Sequence, residues 1–203
     1  MPPKAKAYSF DAETHTHRIG DVIVPGITTV LKPLYDFGGI PAHILEAARQ
    51  WGSAVHKMVE LYCSDTLDTL DEALISPLNE FKRWLKDYGF NKSDFIVEIP
   101  MGDAGLMVAC IPDLILDGKL IVEIKSREHN MLTDSIQTVF QEHVWKKNGG
   151  ERTKEYERRV LYLPPVGSYK YTKVNERQAW PRCRKLIDYY YDTKMINEWR
   201  KTK

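Results

Sequence analysis

The segment at residues 105–126, GLMVACIPDLILDGKLIVEIKS, constrains the fold of this chain more than any other part of the sequence. Two runs rich in Ile, Leu and Val lie on either side of Asp117 and Gly118. An Asp-Gly pair between apolar runs is typical of a tight turn that joins two antiparallel strands. The runs are as apolar as strands that fill a core. We therefore expect a β-hairpin within the central sheet of the protein.

Three charged side chains, Asp113, Glu123 and Lys125, interrupt these apolar runs. Burying them among aliphatic neighbours is costly unless they are paired or bind a metal. In a two-residue loop Asp113 pairs with Val122, and the two acids face opposite sides of the sheet. In a three-residue loop with Gly118 in a left-handed bulge, Asp113 pairs with Glu123, and the three charges share one face. We expect the second arrangement, because it gathers the charges in one place.

Two neighbouring carboxylates repel each other, and each raises the pKa of the other unless a cation lies between them. Oxygen ligands of this kind suit a hard divalent ion such as Mg²⁺ or Mn²⁺. Lys125 lies two residues after Glu123 and points the same way, because strand side chains repeat with period two. It could orient a water molecule or stabilise charge on a phosphate. The alternative is a simple salt bridge of Lys125 with Asp113 or Glu123 at a sheet edge.

The remaining sequence alternates between extended and helical patterns, without repeats or a linker. We expect one α/β domain with a mixed central β-sheet flanked by α-helices, with its core at about 41–165. His15 and His17 share a strand face in the first hairpin, and we expect that face to be exposed. The predicted elements beside the central hairpin are a β-hairpin at 7–31 with a turn at Gly20-Asp21, helices at 41–63 and 72–90, a strand at 94–102, a helix at 134–150, a strand at 156–165 and a basic helix at about 176–201.

Composition excludes several classes of protein. No run approaches 18 apolar residues, so we expect no membrane span, and the N-terminus lacks the apolar core of a secretory signal. Cys63, Cys110 and Cys183 are widely spaced, which predicts free thiols in a reducing, cytoplasmic compartment.

The net charge is −6 for residues 1–150 and +7 for residues 151–203. The basic C-terminal quarter either faces a polyanion or is a solvated helical surface.

Pro112-Asp113, followed by Glu123-Ile124-Lys125, resembles the PD-(D/E)xK signature of the restriction-endonuclease-like nuclease superfamily. The GSAVH segment from Gly52 to His56 is similar to the GxxxH element of its RecB-like and phage exonuclease branch. The opening VPGITTVL and the order of elements are also similar to phage and mitochondrial single-strand exonucleases. The resemblance covers roughly residues 8–190 and implies a restriction-endonuclease-like core.

The chain departs from this branch in two places. Gln137 matches the glutamine of the QxxxY element, but Gln141 stands where the tyrosine is expected. Either that role is lost, or Tyr156 or Trp145 supplies the aromatic contact. The iron–sulfur members of the branch need four cysteines, three of them near the C-terminus, where this chain has only Cys183. We therefore expect no iron–sulfur cluster.

The resemblance implies hydrolysis of phosphodiester bonds with the help of one or two Mg²⁺ or Mn²⁺ ions. Asp113, Glu123 and the carbonyl of Ile124 would hold the ion, and His56 would be a further ligand or would hold a water molecule on the ion. Lys125 would lie against the attacking water. Other expected roles are metal ligation by Glu60 and Glu98, orientation of Lys125 or donation to phosphate by Gln137, and DNA contacts by Ser126, Arg127, Lys173, Arg177, Arg182 and Lys185.

Three of these residues also have a purely structural alternative. Glu60 shares a helix face with His56 and could instead be the partner of a nearby lysine. Glu98 could be an ordinary exposed strand residue, and Gln137 a solvent-facing helix residue. The activity we expect is that of a deoxyribonuclease, an exonuclease on DNA ends or single strands in phage or bacterial recombination, replication or repair. A structure-dependent or nicking endonuclease and a non-catalytic DNA-binding protein are the alternatives, and recombination or replication proteins are further expected partners.

Overall fold

The computed structural model describes residues 7–35, 38–127 and 131–201, which form a mixed α/β fold. Short 3₁₀ turns lie at Lys32–Leu34, Glu72–Leu74 and Lys92–Asp94. The helices are α1 (Ile27–Val30), α2 (Ala42–Cys63), α3 (Ile75–Tyr88), α4 (Met131–Lys147) and α5 (Ala179–Lys201). The strands are β1 (Tyr8–Asp11), β2 (Thr16–Ile19), β3 (Val22–Val24), β4 (Ile96–Val97), β5 (Met101–Asp103), β6 (Val108–Cys110), β7 (Leu114–Leu116), β8 (Leu120–Lys125), β9 (Glu157–Tyr162) and β10 (Lys170–Lys173).

The central sheet has five strands in the order β10-β9-β8-β7-β4. Only β8 and β9 are parallel, and the other neighbours are antiparallel, so the sheet is mixed. Strand β8 therefore lies in the middle, with a partner on each side. Its side chains from Leu120 to Ile124 are all buried, because helices cover both faces of the sheet.

Two layers of helices bury the two faces of this sheet. Leu114, Val122 and Ile124 pack in one hydrophobic cluster with side chains of α2 and α3. Ile115 and Ile121 point to the other face and pack with side chains of α4 and α5. Burying an aliphatic side chain of this size stabilises the fold by about 1.5–3 kcal/mol, so the central hairpin contributes to both cores. The prediction of a mixed central sheet flanked by helices is confirmed.

The register of the central hairpin is the one predicted for a three-residue loop. Leu114 is opposite Val122, and Leu116 is opposite Leu120, which leaves residues 117–119 in the loop. Gly118 has a φ of 68°, a left-handed conformation that glycine adopts without a Cβ penalty. The Lys119 N–H donates to the Leu116 carbonyl at 3.1 Å and closes the turn. Continued by one residue, this register sets residue 113 opposite residue 123.

The predicted strands at 94–102 and 105–116 are each broken in two, which corrects the sequence-based assignment. The breaks lie at residues 98–100 and 111–113, where Pro100 and Pro112 have no N–H to donate to a neighbouring strand. At the first break, Glu98 has a φ of 46°, and its N–H donates to the Asp113 carbonyl at 3.1 Å. The outer halves pair with each other as a separate sheet of β5 and β6. The two breaks therefore lie side by side.

The N-terminal segment is a three-stranded antiparallel sheet in the order β1-β2-β3, not the predicted two-stranded hairpin. An additional turn at residues 12–15 ends at His15, whose φ is 51°. The predicted turn at Gly20-Asp21 is confirmed between β2 and β3. His17 is buried, so the expectation of an exposed face for both histidines is wrong for that residue. The Ala109 N–H donates to the Pro25 carbonyl at 2.9 Å and joins this sheet to β6.

Helices α2 to α5 agree closely with their predicted positions, whereas α1 lies within the segment 7–31 that was predicted to be a β-hairpin. Helix α2 begins after Pro41, and α3 ends before Gly89, which has a φ of 66°. The sequence reading missed β10, a four-residue strand with a lysine at each end. The three cysteines are free thiols, as expected. Within the described ranges, none of the helices has the length and apolar character needed to cross a membrane.

Candidate active site

A cleft of about 1030 Å³ opens beside the two strand breaks. Its walls come from α2, from the connections before β5 and β7, from β8, from α4 and from the N-terminal sheet. The side chains predicted for catalysis or metal binding are brought together here from distant parts of the chain. Those that line the cleft on its charged side are His56, Glu98, Asp113, Glu123, Lys125 and Gln137.

Asp113 is the buried centre of this charged side. Its Oδ1 lies 3.0 Å from Nδ1 of His56, and its Oδ2 accepts a hydrogen bond of 2.5 Å from the Ile124 N–H. The hairpin register explains the second contact, because it sets Asp113 beside the β8 backbone. The same His56 nitrogen lies 3.4 Å from Oε1 of Glu98. One imidazole therefore bridges two carboxylates.

His56, Glu98 and Asp113 each offer one ligand atom, and these atoms lie within 4.8 Å of one another. Histidine nitrogen and carboxylate oxygens are ligands that a divalent cation such as Mn²⁺ accepts. His56 and Asp113 were expected in such a set. Glu98 joins them from the break after β4 and not from a regular strand, because its left-handed backbone turns the chain there. Glu123 does not belong to this group of three.

Glu123 is buried on β8, and its carboxylate accepts hydrogen bonds from three side chains. Oε1 accepts from Lys125 Nζ at 2.5 Å and from Gln137 Nε2 at 2.6 Å. Oε2 accepts from Gln141 Nε2 at 2.6 Å. A carboxylate has about four lone-pair positions, so one remains for a cation if all three donors stay in place. Glu123 could thus complete a metal site without losing its neighbours.

Lys125 forms an ion pair with Glu123, which was one of the alternatives from the sequence. The pair does not lie at a sheet edge, as that alternative assumed. Lys125 lies at the end of the central strand β8, and Nζ also donates to Gln137 Oε1 at 2.9 Å. Burial lowers the pKa of Lys125, but the negative charges of Glu123 and Asp113 outweigh burial and raise it. Burial raises the pKa of Glu123, and repulsion from Asp113 adds to that shift, while Lys125 opposes it.

The two groups beside Asp113 also titrate abnormally. Burial raises the pKa of Glu98 to about 7, helped by repulsion from Asp113 and Glu123 and opposed by its hydrogen bond to His56. Burial lowers the pKa of His56, but the charge of Asp113 and the hydrogen bonds to Asp113 and Glu98 raise it well above the usual range. Metal ligands must be deprotonated. A cation bound by these three side chains would therefore displace protons near neutral pH.

Gln137 and Gln141 lie one helical turn apart on α4, and both are buried. The solvent-facing alternative for Gln137 is therefore wrong, and its Oε1 accepts a hydrogen bond from Lys125 Nζ. The sequence reading missed Gln141 because it departs from the expected tyrosine. Its i, i+4 spacing from Gln137 was the available signal. Tyr156 and Trp145 do not replace it: both hydrogen-bond to Asp117 in the hairpin loop.

Glu60 lines the cleft, but its carboxylate accepts from Lys57 Nζ at 2.9 and 2.8 Å. The alternative role, a partner for a nearby lysine, is the contact that forms. Arg49 is a second cation of the cleft wall that the sequence reading missed. Its guanidinium makes two hydrogen bonds to Glu46, at 2.8 and 2.6 Å. Arg49 and Lys57 thus line the cleft from α2, and both are paired with acids of the same helix.

The residues expected to contact DNA do not line the cleft. Ser126 is the nearest by sequence, and its Oγ lies 3.4 Å from where a Cβ on Gly52 would be. Arg127 forms an ion pair with Asp134 of α4. Oδ2 of Asp134 also accepts a hydrogen bond of 2.7 Å from the Tyr162 hydroxyl, so Asp134 connects α4 to strand β9. The other four occupy exposed positions on β10, on α5 or between them, and they are Lys173, Arg177, Arg182 and Lys185.

The arrangement combines three chemical capacities in one cleft. It holds acids and an imidazole close enough to share a cation, a lysine ammonium beside those acids, and amide donors that fix one of the carboxylates. Such a set can neutralise an anionic substrate and orient a water molecule against it.

In comparisons with known proteins, no family model and no curated protein matches this chain.

Proposed function

We propose that this protein is a Mg²⁺- or Mn²⁺-dependent deoxyribonuclease with a restriction-endonuclease-like core, acting as an exonuclease on DNA ends or single strands. One observation carries the proposal: Asp113, Glu123 and Lys125 converge with His56 and Glu98 in one cleft. An ion pair alone needs two of these five groups. The other three contact one another, but the two acids, Glu98 and Asp113, share a single imidazole, so a bound cation would relieve their mutual repulsion.

The donor set fits a hard divalent cation, because it offers carboxylate oxygens and one imidazole. His56, Glu98 and Asp113 would hold the cation, and Glu123 lines the same cleft. When bound, such an ion polarises the scissile phosphate and lowers the pKa of a coordinated water. The mixed sheet with a pair of helices on each face supports the restriction-endonuclease-like core.

Lys125 supplies the fixed positive charge of the reaction. Its ammonium is held by Glu123 and Gln137, so it neither rotates away nor loses its proton at neutral pH. At the cleft surface it can contact the attacking water or a phosphate oxygen. Preorganised charge of this kind supplies much of the rate of an in-line displacement, since no reorganisation is needed during the reaction.

The acids argue against a protein that only binds DNA. Asp113 and Glu123 carry negative charge toward a place where a binding protein would contact phosphates. Without a cation between them, these carboxylates and a phosphate repel each other. A nuclease uses the same acids to hold the cation. The phosphate and metal chemistry is the same for RNA, so the test includes an RNA strand.

The test uses end-labelled linear DNA, a covalently closed circular single strand and a linear RNA of matching sequence, each with Mg²⁺, Mn²⁺ or EDTA. We expect metal-dependent loss of linear DNA while the circle survives. Cutting of the circle would establish an endonuclease instead. Asp113→Asn should abolish hydrolysis and retain DNA binding, whereas Asp188→Asn, an exposed acid on α5, should change neither. Hydrolysis by the Asp113 variant at the native rate would refute the proposal.

A further inference from the structure

The N-terminal sheet carries a cluster of rings at its open end, formed by Phe10, His15 and His17, which we name the aromatic platform. Phe10 is directly opposite His17 in the β1–β2 pairing. Their ring centroids lie 4.8 Å apart with the planes at 30°. The His15 ring meets Phe10 edge-on at 5.1 Å. Phe10 is half-buried and His15 is exposed, so the platform has an accessible surface.

The platform is fixed to the rest of the protein through its inner residues. The Tyr8 hydroxyl is hydrogen-bonded to Nδ1 of His17 at 2.8 Å. The Tyr8 ring packs so closely on Gly102 of β5 that a Cβ there would lie 2.5 Å from it, so only glycine fits. Ile19 and Val24 of the same sheet are buried against β6. The rings are therefore positioned by strands β5 and β6, whose inner ends adjoin Glu98–Pro100 and Ile111–Asp113.

The platform and the charged site line one continuous cleft. Phe10, His15 and His17 line the same cleft as His56 and Asp113. The cleft volume of about 1030 Å³ lies just above the range of roughly 300–1,000 Å³ that is typical of sites for drug-sized ligands. A phosphate group alone would leave most of it empty. The space beside the acids is therefore large enough for the base and sugar that accompany a phosphate.

We propose that the aromatic platform stacks on an unpaired base of the DNA strand whose phosphate lies at Asp113 and His56. The inference rests on the proposed nuclease function and specifies its substrate as a single strand or a frayed end. Every base has a π-face, so stacking on Phe10 tolerates any sequence. A base inside a duplex has both faces covered by its neighbours and cannot stack there. The platform thus selects strands whose bases are unpaired.

Two variants remove the platform without unfolding the sheet. Phe10→Leu keeps an apolar side chain in a half-buried position and removes the ring. His15→Asn removes a ring and keeps a residue that tolerates the left-handed backbone at this position. Ser9→Ala is the matched control, because Ser9 is exposed and points to the opposite face of β1. Circular dichroism and thermal melting check that the variants fold as the native chain does.

The first experiment measures binding with Ca²⁺, a hard divalent ion that takes oxygen ligands as Mg²⁺ does, and a gel of the labelled strand checks that it stays intact. A fluorescent single-stranded oligonucleotide carries one abasic residue, moved along the strand from the end. At one position we expect the native protein to lose about 5- to 150-fold in affinity, the range for one stacked base. In Phe10→Leu that loss should shrink to nearly nothing, since the abasic residue and the missing ring remove the same contact. Ser9→Ala should retain the full loss.

The second experiment replaces the abasic residue by 2-aminopurine, whose fluorescence is quenched when it stacks. We expect quenching at the same position in the native protein and in Ser9→Ala, and its loss in Phe10→Leu. An equal abasic penalty in native and Phe10→Leu proteins would overturn the proposal. So would a larger Phe10→Leu effect on blunt duplex than on single strands, because the platform would then cap a terminal base pair.

The two proposals can fail separately. If native protein hydrolyses linear DNA but shows no coupling between Phe10 and any base, the platform proposal is wrong and the nuclease proposal stands. If no metal supports hydrolysis but the coupling is present, the nuclease proposal is wrong and the platform is a single-strand binding surface.

Discussion

Gln141 donates a hydrogen bond of 2.6 Å from Nε2 to Oε2 of Glu123, the carboxylate oxygen that neither Lys125 nor Gln137 contacts. Both side chains are buried. Among the described residues, the other amide atom, Oε1 of Gln141, has no hydrogen-bond partner. The fold thus keeps a buried glutamine here although its amide oxygen has no partner among the described residues, which indicates that holding Glu123 is its main role.

Replacing Gln141 should impair hydrolysis, although this buried side chain does not line the cleft. Gln141→Met keeps the length of the side chain and removes the donor, so one oxygen of Glu123 is left without a partner. Loss of such a supporting contact typically costs about 10- to 100-fold in metal affinity or activity. We expect this loss in kcat and in the Mn²⁺ dependence, with little change in DNA affinity. Gln178→Met is the control, because Gln178 is exposed and immediately precedes α5.

The Glu123–Lys125 pair gives a prediction that separates stability from activity. Lys125→Met leaves a buried carboxylate without its cation, and breaking such a pair typically costs about 3–5 kcal/mol of unfolding free energy. Adding Glu123→Gln removes the uncompensated charge, so the double variant should recover most of the stability. It should not recover hydrolysis, because both groups belong to the proposed site. Urea unfolding and the linear-DNA assay measure the two effects.

The exposed lysine Lys194 of α5 provides the control for this series, since Lys194→Met removes a cation without a buried partner. It should leave both stability and hydrolysis at native levels. A double variant that is no more stable than Lys125→Met alone would contradict the view that the uncompensated Glu123 charge causes the loss.

The sequence predicts the hairpin well because its cause is local. Gly118 determines the turn, and the turn determines which side chain is opposite Glu123. Helices α2 and α3 are predictable for the same reason, since their spacing and the residues that flank them are contiguous in the chain. The Asp113, Glu123 and Lys125 cluster follows from the hairpin register and from period-two geometry.

Other parts of the site depend on contacts between distant segments, which leave no local signal. Glu98 is a ligand candidate only because a left-handed residue and Pro100 end β4 beside the break that contains Asp113. The cleft wall at Phe10 depends on the packing of Tyr8 against Gly102. Strand β10 has few apolar residues and forms because β9 offers it an edge.

Metal affinity should rise with pH across neutrality. Glu98 has a pKa of about 7, and the pKa of His56 lies well above its usual range, so both hold protons that a cation must displace. We expect Mn²⁺ affinity to increase from pH 6 to pH 8, with proton release detected by calorimetry in buffers of different ionisation enthalpy. Glu98→Gln should weaken binding and flatten the part of the profile near pH 7. Affinity that is independent of pH would contradict this prediction.

The same shifts act on the stability of the metal-free protein. A raised pKa means that the folded state holds a proton that the unfolded state has already released. For Glu98 this stabilisation is complete below about pH 4.5 and is lost as pH rises to about 7. For His56 it is complete below about pH 6.5 and is lost as pH rises through its raised pKa. In the metal-free protein, His56→Gln should therefore cost less unfolding free energy at high pH than at pH 5. Urea unfolding of the native and variant proteins at both pH values measures the difference.

Asp103 provides the last prediction, outside the cleft. Its buried carboxylate lies 2.7 Å from His143 Nε2 and 2.9 Å from Lys147 Nζ, and it accepts the Gly105 N–H at 2.8 Å. Burial raises its pKa, but the hydrogen bonds from His143, Lys147 and Gly105 outweigh burial and lower it. Its stabilisation is therefore present above about pH 4 and is lost as pH falls toward the depressed folded value.

Asp103→Asn should cost about 1.5–3 kcal/mol of unfolding free energy at pH 7, the range for a hydrogen bond to a charged group. The cost should start to shrink below about pH 4, because the unfolded carboxyl then binds a proton while the folded carboxyl, with its lowered pKa, is still ionised. Urea unfolding at pH 7 and at pH 3 measures the difference, with Asp188→Asn as the exposed control. Since Asp103 joins β5 to α4 and does not line the cleft, hydrolysis per folded molecule should be unchanged. A variant with native stability at pH 7 would show that His143 and Lys147 do not stabilise the folded carboxylate.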